Sequence, residues 1–135
     1  TGSGILAIAA AWLGVRDVHA IDSDPDAIAS ATANVERNAL GHRVRCEIGD
    51  AATLARPPFP LVLANLLAAA HRALAARYAA LVAPGGLLVL GGLLDGEADE
   101  IAATVGTHGF SPHATRSVEG WTSLACRHAP LHARA

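Results

Sequence analysis

Short apolar runs alternate along this chain with longer stretches whose apolar residues recur at helical spacing. The short runs predict strands at Val18–Asp22, Arg43–Ile48, Leu61–Ala64, Leu87–Leu90, Ser111–Glu119 and Trp121–Arg127. The longer stretches predict helices at Gly2–Leu13, from Pro25 to near Gly41, at Ala68–Val82 and at Glu97–His108. This alternation predicts an α/β fold, a mostly parallel sheet with helices on both faces that ends in an antiparallel strand pair.

The same spacing predicts which side of each helix is buried. Asp24 caps the second helix and Pro25 takes its first position, where the missing N–H costs nothing. Pro84-Gly85-Gly86 is expected to end the third helix before the next strand begins. The expected buried residues are Ile5, Leu6, Ile8, Trp12 and Leu13 in the first helix, Ile28, Ala31 and Val35 in the second, and Leu74, Tyr78 and Leu81 in the third.

Composition narrows the class of protein. A chain of 135 residues with 52% hydrophobic and 16% charged residues fits one compact domain, which we place at residues 1–128, followed by a disordered tail at 129–135. A net charge of −2 gives no electrostatic reason for direct nucleic-acid binding, and no apolar run is long enough to span a membrane. Cys46 and Cys126 are predicted to be buried free thiols, typical of a reducing compartment such as the cytoplasm, and the histidines show no metal-binding spacing.

Candidate ligand-binding residues follow the predicted strands. In open α/β sheets, ligands bind beyond the carboxyl ends of the strands, and the Gly2–Gly4 turn, Asp22, Asp50 and Asn65 are all predicted to lie there. Gly2 and Gly4 allow close approach of the backbone to a ligand at a helix N-terminus. Asp22 follows Gly2 by 20 residues, a spacing that places an acceptor-only carboxylate on ribose hydroxyls.

Each candidate also has a purely structural interpretation. The glycine turn could serve tight packing, Asp22 could be a surface carboxylate, and Gly49-Asp50 could be an ordinary turn. Asn65 could cap a loop. Two other residues are assigned structural roles at this point: Asp24 as a helix cap and Trp121 as a core or edge packing residue.

The glycine turn alone leaves two cofactors open, because Gly2 to Ala7 also fits the nicotinamide pattern G-x-G-x-x-A. A Ser-Tyr-Lys dehydrogenase site is excluded, since the chain contains no lysine. The combination of Thr1-Gly2-Ser3-Gly4, Asp22-Ser23-Asp24-Pro25, Gly49-Asp50, Ala64-Asn65-Leu66-Leu67 and Pro84-Gly85-Gly86 resembles the class I S-adenosylmethionine-dependent methyltransferases. Within them, the order and spacing of these segments and of the final Gly-Trp are most similar to the PrmA-type enzymes that methylate ribosomal protein L11.

The resemblance implies a Rossmann-like class I fold, S-adenosyl-L-methionine as cofactor and a role for each matching residue. Gly2 and Gly4 would line the methionine end, Asp22 would hold the ribose, and Asp50 would lie near the adenine. Asn65 would be both a cofactor contact and the catalytic residue that orients the incoming amine. The cofactor-binding set implied by the resemblance is Thr1, Gly2, Gly4, Asp22, Ser23, Asp50 and Asn65; at the Ser23 position many relatives have an apolar residue.

The resemblance also implies what stands outside this sequence. The family's first strand, an upstream Gly-Thr-Gly-x-His segment and an N-terminal domain that recognises the ribosomal protein would all precede Thr1. That first strand would be central, so we expect the isolated chain to be unstable, to rearrange, or to exchange strands between copies. The predicted function is N-methylation of a large-subunit ribosomal protein. A non-catalytic cofactor-binding module, and a methyltransferase for another protein or a small molecule, remain the alternatives.

Overall fold

The computed structural model describes residues 1–131, and its contacts divide the chain into two compact units, Thr1–Leu54 and Ala55–Ala135. Of the predicted disordered tail, residues 132–135 lie outside the described residues. Residues 129–131 follow the last strand, and the Ala129 N–H donates to the carbonyl of Gly109 at 2.9 Å.

The first unit is built on a two-stranded parallel sheet with two helices. Its elements are α1 (Ile5–Trp12), β1 (Val18–Asp22), α2 (Pro25–Arg37) and β2 (Val44–Ile48). Strands β1 and β2 pair in parallel from Val18 opposite Val44 to Asp22 opposite Ile48. The buried core of this unit consists of Ala7, Ile8, Ala11, Ala20, Val35, Leu40 and Val44.

Helix α2 forms as its local sequence predicts. The Asp24 side chain accepts a hydrogen bond from the Asp26 N–H at 2.9 Å, and Pro25 occupies the first helical position. Ala31 and Val35 are buried on one face as predicted, while Ile28 is half-buried. The helix ends at Arg37 instead of continuing to Gly41, and a tight turn leads into β2.

The predicted buried face of α1 is wrong. Only Ile8 of its five expected core residues is buried, whereas 67% of Trp12 and 88% of Leu13 are exposed. Because α1 is apolar around its whole circumference, spacing cannot indicate which side packs. The packed side carries Ala7 and Ala11, whose small side chains let the helix approach the strands closely. The helix also begins at Ile5 and not at Gly2, since Gly4 has a left-handed φ of +82°.

The second unit contains a four-stranded sheet with two helices. Its elements are β3 (Phe59–Asn65), α3 (Ala68–Leu81), β4 (Val82–Leu94), a short 3-10 helix (Asp95–Glu97), α4 (Ala98–Gly106), β5 (Phe110–Val118) and β6 (Trp121–His128). The strand order is β3-β4-β6-β5, with β3 parallel to β4 and the other two pairings antiparallel. The antiparallel β5–β6 pair at the sheet edge is confirmed. The division of the strands between two sheets was not predicted.

Strand β4 is longer than predicted, and Pro84-Gly85-Gly86 lies within it. Phe59 pairs with Val82 and Leu61 with Leu87, so these residues form a bulge in the strand. Gly85 has φ +77°, which suits the irregular backbone of such a bulge. The break predicted at this point is therefore wrong: α3 already ends at Leu81, and the strand begins with the next residue.

The core of the second unit lies between its sheet and its two helices. The largest fully buried side chains here are Tyr78, Leu88, Leu90, Leu93, Ile101, His71, Val82, Val105 and Cys126. Both cysteines are free thiols, but Cys46 is only half-buried, against the prediction. Burial raises the pKa of the Cys126 thiol. No helix within residues 1–131 combines the length and apolar character that crossing a membrane requires.

Candidate functional site

Asp22 anchors the glycine turn of the first unit. Its Oδ2 accepts a hydrogen bond from the Gly2 N–H at 2.9 Å and lies 2.7 Å from the backbone nitrogen of Thr1. Its Oδ1 accepts the Asp24 N–H at 3.0 Å. The carboxylate at the end of β1 thus joins the turn before α1 to the turn before α2.

These contacts keep the Asp22 carboxylate ionised. The Gly2 N–H, the Thr1 nitrogen and the Asp24 N–H, in that order, hold the pKa of Asp22 well below the ordinary carboxyl range. The side chain remains 21% exposed. A carboxylate oxygen can accept more than one hydrogen bond, so Oδ1 retains capacity for a hydroxyl group.

The two glycines of the turn differ in what surrounds them. A Cβ added to Gly4 would lie 3.1 Å from Cβ and 3.3 Å from Cα of Ala31 in α2, so Gly4 permits close packing of the turn on that helix. A Cβ added to Gly2 would meet nothing within 4 Å. The backbone at Gly2 is therefore accessible to a ligand. Gly4 has the packing role that the sequence analysis kept as an alternative.

The remaining candidates of this unit lie on its surface. Thr1 and Ser23 are exposed. Asp50 is also exposed, and its Oδ1 accepts the Ala52 N–H at 2.9 Å. This bond closes a local turn of the Asx type, which is the structural interpretation considered above for Gly49-Asp50.

Asn65 is the last residue of β3 and lies at the mouth of a cleft in the second unit. Its side chain packs over the backbone of β4, with Oδ1 3.0 Å from the position that a Cβ would take at Gly91 or at Gly92. The cleft has a volume of about 680 Å³ and is lined by Asn65, Leu66, Leu67, Gly92, Trp121, Thr122 and Ser123. An exposed amide thus borders a largely apolar space.

Trp121 is a candidate that the sequence interpretation missed. It was assigned to packing, yet 52% of it is exposed and it lines this cleft. It also lines a neighbouring cleft of about 290 Å³, together with Leu67, Ala68, Ala69, Arg72, Gly92, Leu94 and Glu97. A signal was available: Trp121 directly follows the β5–β6 turn at Gly120, and residues beside a hairpin turn often face solvent.

Hydrogen bonds among Ser117, Thr122 and Asp95 support the strand that carries Trp121. The Ser117 hydroxyl donates to Thr122 Oγ1 at 2.6 Å, and Thr122 in turn donates to Asp95 Oδ1 at 2.6 Å. The Asp95 N–H donates to the carbonyl of Gly120 at 3.1 Å. Thr122 is buried, so its hydroxyl needs these partners. Together these hydrogen bonds hold the β5–β6 turn against the end of β4.

Comparison with known proteins identifies the family of this chain. The family model described as ribosomal protein L11 methyltransferase (PrmA) matches residues 1–129. The chain belongs to this family. The matched range includes the glycine turn, Asp22, Asn65 and Trp121, and it confirms the resemblance noted from the sequence.

Curated members of the PrmA family share about two fifths of their aligned residues with the chain. The ribosomal protein L11 methyltransferase of Methylococcus capsulatus is 41% identical over 124 residues, which are 92% of this chain and 42% of that protein. The one from Bradyrhizobium diazoefficiens is 41% identical over 133 residues, 94% of this chain and 44% of that protein. The chain therefore spans less than half the length of these PrmA relatives.

Solved structures confirm the fold class. The ribosomal protein L11 methylase of Lactobacillus delbrueckii subsp. bulgaricus superposes with a TM-score of 0.87 at 24% identity, covering 94% of this chain and 65% of that one. An RNA methyltransferase of Salinibacter ruber, solved with S-adenosyl-L-homocysteine, gives 0.77 at 20% identity over 99% of this chain and 80% of that one. The predicted Rossmann-like methyltransferase fold is thus correct.

Proposed function

We propose that this chain is the cofactor-binding and catalytic part of an S-adenosyl-L-methionine-dependent protein N-methyltransferase that modifies a large-subunit ribosomal protein. The observation that carries the proposal is the PrmA family match over residues 1–129, which includes both the Asp22-anchored glycine turn and Asn65. The bound S-adenosyl-L-homocysteine in the Salinibacter methyltransferase supports the choice of cofactor.

The residues of the first unit fit the ribose and methionine ends of this cofactor. Asp22 is ionised and has acceptor capacity left on Oδ1, so it can accept a hydrogen bond from a ribose hydroxyl. Gly2 offers open backbone at the start of the turn. Thr1, Gly4 and Ser23 complete the proposed set, with Gly4 shaping the turn through its contact with Ala31.

Asp50 is proposed to bind the amino group of adenine through the part of its carboxylate that faces solvent. One carboxylate oxygen accepts the Ala52 N–H, and an ionised carboxylate has further acceptor positions for an amino group. The exposure of Asp50 is compatible with this role.

Asn65 is proposed as the catalytic residue of the second unit. When bound, S-adenosyl-L-methionine supplies a methyl group attached to a positively charged sulfur. A neutral amine would accept this methyl group by in-line displacement, with S-adenosyl-L-homocysteine as the leaving group. The Asn65 amide oxygen can accept an N–H of that amine and so direct the nitrogen lone pair, a contribution of positioning and electrostatics. The apolar walls formed by Leu66, Leu67 and Trp121 suit the aliphatic stem of a lysine side chain and favour the uncharged amine.

Recognition of the ribosomal protein is proposed to require sequence beyond this chain, which spans 42% of the Methylococcus relative. We also propose a cytoplasmic location, where the ribosomal protein is available, and no direct contact with nucleic acid or membrane. For the isolated chain we propose strand exchange between copies as one way to complete the sheet.

Calorimetric titration with S-adenosyl-L-homocysteine, with NADH as control, tests the cofactor. Binding of the homocysteine form and not of NADH is expected, whereas preference for NADH would contradict the proposal. Transfer of labelled methyl groups to ribosomal protein L11 then tests the reaction, and Asn65→Ala is expected to be inactive. The matched control is Asn38→Ala, which removes an asparagine amide at the end of α2 in the first unit and should leave activity unchanged. Cofactor binding without transfer by the full-length protein would favour the non-catalytic module.

A further inference from the structure

His71 is a fully buried histidine to which the proposed function assigns no role. It lies in α3 with 0% of its surface exposed, and both of its ring nitrogens have partners. Nε2 lies 2.9 Å from the carbonyl oxygen of Gly91, and Nδ1 lies 2.9 Å from the hydroxyl of Tyr78. A carbonyl oxygen can only accept, so Nε2 carries the proton; in the neutral ring, Nδ1 accepts from the Tyr78 O–H.

The Gly91 carbonyl is a junction between α3, β4 and the end of β3. Besides the His71 ring, it accepts the backbone N–H of Leu66 at 3.2 Å. His71 therefore fixes the acceptor to which the chain just after Asn65 is bound. Tyr78 lies two turns further along α3 and holds the ring in place.

Asn65 and Leu66 rest directly on the backbone that His71 holds. A Cβ at Gly92 would collide with the carbonyl oxygen of Leu66 and would lie 3.0 Å from Asn65 Oδ1. Gly92 itself has φ +79°, so β4 bends at this point. Any shift of the Gly91 carbonyl is thus transmitted to the Asn65 side chain and to the wall of the cleft.

We propose that His71 is a positioning residue for Asn65, acting through its Nε2–H bond to the Gly91 carbonyl, with Tyr78 orienting the imidazole. The proposal rests on the proposed methyltransferase function. It assigns a role to a buried hydrogen-bonded pair whose two partners could otherwise be replaced together by apolar side chains of the same shape at little cost in stability.

Two amide substitutions, each of which places a nitrogen near one ring nitrogen of His71, separate positioning from simple core support. In His71→Gln the amide nitrogen reaches the place of Nε2 and can still donate to Gly91. In His71→Asn the shorter amide reaches the place of Nδ1 and can meet only Tyr78. For methyl transfer by the full-length protein, we expect kcat of His71→Gln within about threefold of wild type and a fall of about 10- to 100-fold in His71→Asn, with KM for S-adenosyl-L-methionine unchanged in both.

A matched control is available at the other end of the same strand. His128 Nδ1 donates to the carbonyl of Val82 at 2.8 Å, so His128→Gln breaks the same type of bond at the start of β4. This variant should lose thermal stability and keep its kcat. Equal kcat for His71→Gln and His71→Asn, or a loss that follows the melting temperature across all three variants, would overturn the proposal.

A nitrogen-15 NMR experiment on wild type gives a readout that needs no substitution and no activity. We expect His71 to show a slowly exchanging proton on Nε2. A proton on Nδ1 with bare Nε2 would overturn the proposal even if both variants fail to fold. A wild-type protein that transfers no methyl group would instead contradict the proposed function, so the two failures are distinguishable.

Discussion

Asp22 Oδ2 and the backbone N–H of Gly2 form a hydrogen bond of 2.9 Å across 20 residues of sequence. The same carboxylate accepts the N–H of Asp24. One side chain thus fixes the two turns on which the proposed cofactor contacts of the first unit depend. The spacing that suggested a ligand-binding acid also produces a structural anchor, and both roles use the ionised form.

Replacing Asp22 should weaken the dependence of the free energy of unfolding on pH in the acid range. Its pKa is lowered in the folded state, so the carboxylate stabilises the fold at every pH above its unfolded value of ~4, and this contribution is lost as pH falls further. Asp22→Asn should cost about 1–2 kcal/mol at pH 7 and progressively less in acid. Thermal unfolding between pH 2 and 7 measures this. Asp17→Asn, at an exposed ion pair with Arg45, should have almost no effect.

Substitution of Gly4 should destabilise the fold more than substitution of another glycine with positive φ. Gly4→Ala adds a contact of 3.1 Å with Ala31 to the strain of a left-handed backbone. Gly14→Ala has a comparable φ of +106° but open space around it. We expect losses of about 2–4 kcal/mol for the first and about 1–2 kcal/mol for the second. Equal losses in chemical denaturation would contradict the packing role of Gly4.

Tyr78 should resist ionisation until the protein unfolds. Burial raises its pKa well above the ordinary value, so the neutral phenol is favoured in the fold. The contribution of the neutral phenol to the free energy of unfolding should be fully present below the unfolded pKa of ~10, and it should decline as pH rises beyond that value. Because Tyr78 is the single tyrosine, the rise in absorbance at ~295 nm on phenol ionisation reports it alone. The chain unfolded in denaturant gives the reference titration, with a pKa of ~10. Titration of the folded protein at that reference value would refute its burial.

Trp121 should affect the methyl acceptor more than the cofactor. It is half-exposed and forms a wall shared by the two clefts described above. Trp121→Ala should raise KM for the proposed acceptor, the ribosomal protein, about tenfold by removing apolar contact area, while binding of S-adenosyl-L-homocysteine stays the same. Trp121→Phe should retain most of the activity. If Trp121→Ala instead weakened homocysteine-form binding and left KM for the acceptor unchanged, the cleft would belong to the cofactor.

Local features were predictable because their partners lie close in sequence. The Asp24 cap and Pro25 determine the start of α2 within three residues, and the β5–β6 hairpin closes over Gly120. The position of Asp22 beside the glycine turn was also predictable, since the spacing from such a turn to the acid after the next strand is a property of the βαβ unit itself.

The sequence by itself determined the α/β class and the family motifs, and it pointed to Asp22 and Asn65 as candidate site residues. The tertiary structure decided which face of α1 is buried, since a helix that is apolar all round carries no directional signal. It also decided that Trp121 borders a cleft and that His71 lies beneath the carbonyl of Gly91, 20 residues away. These features depend on contacts between distant segments, whose geometry is set by packing and not by any local pattern.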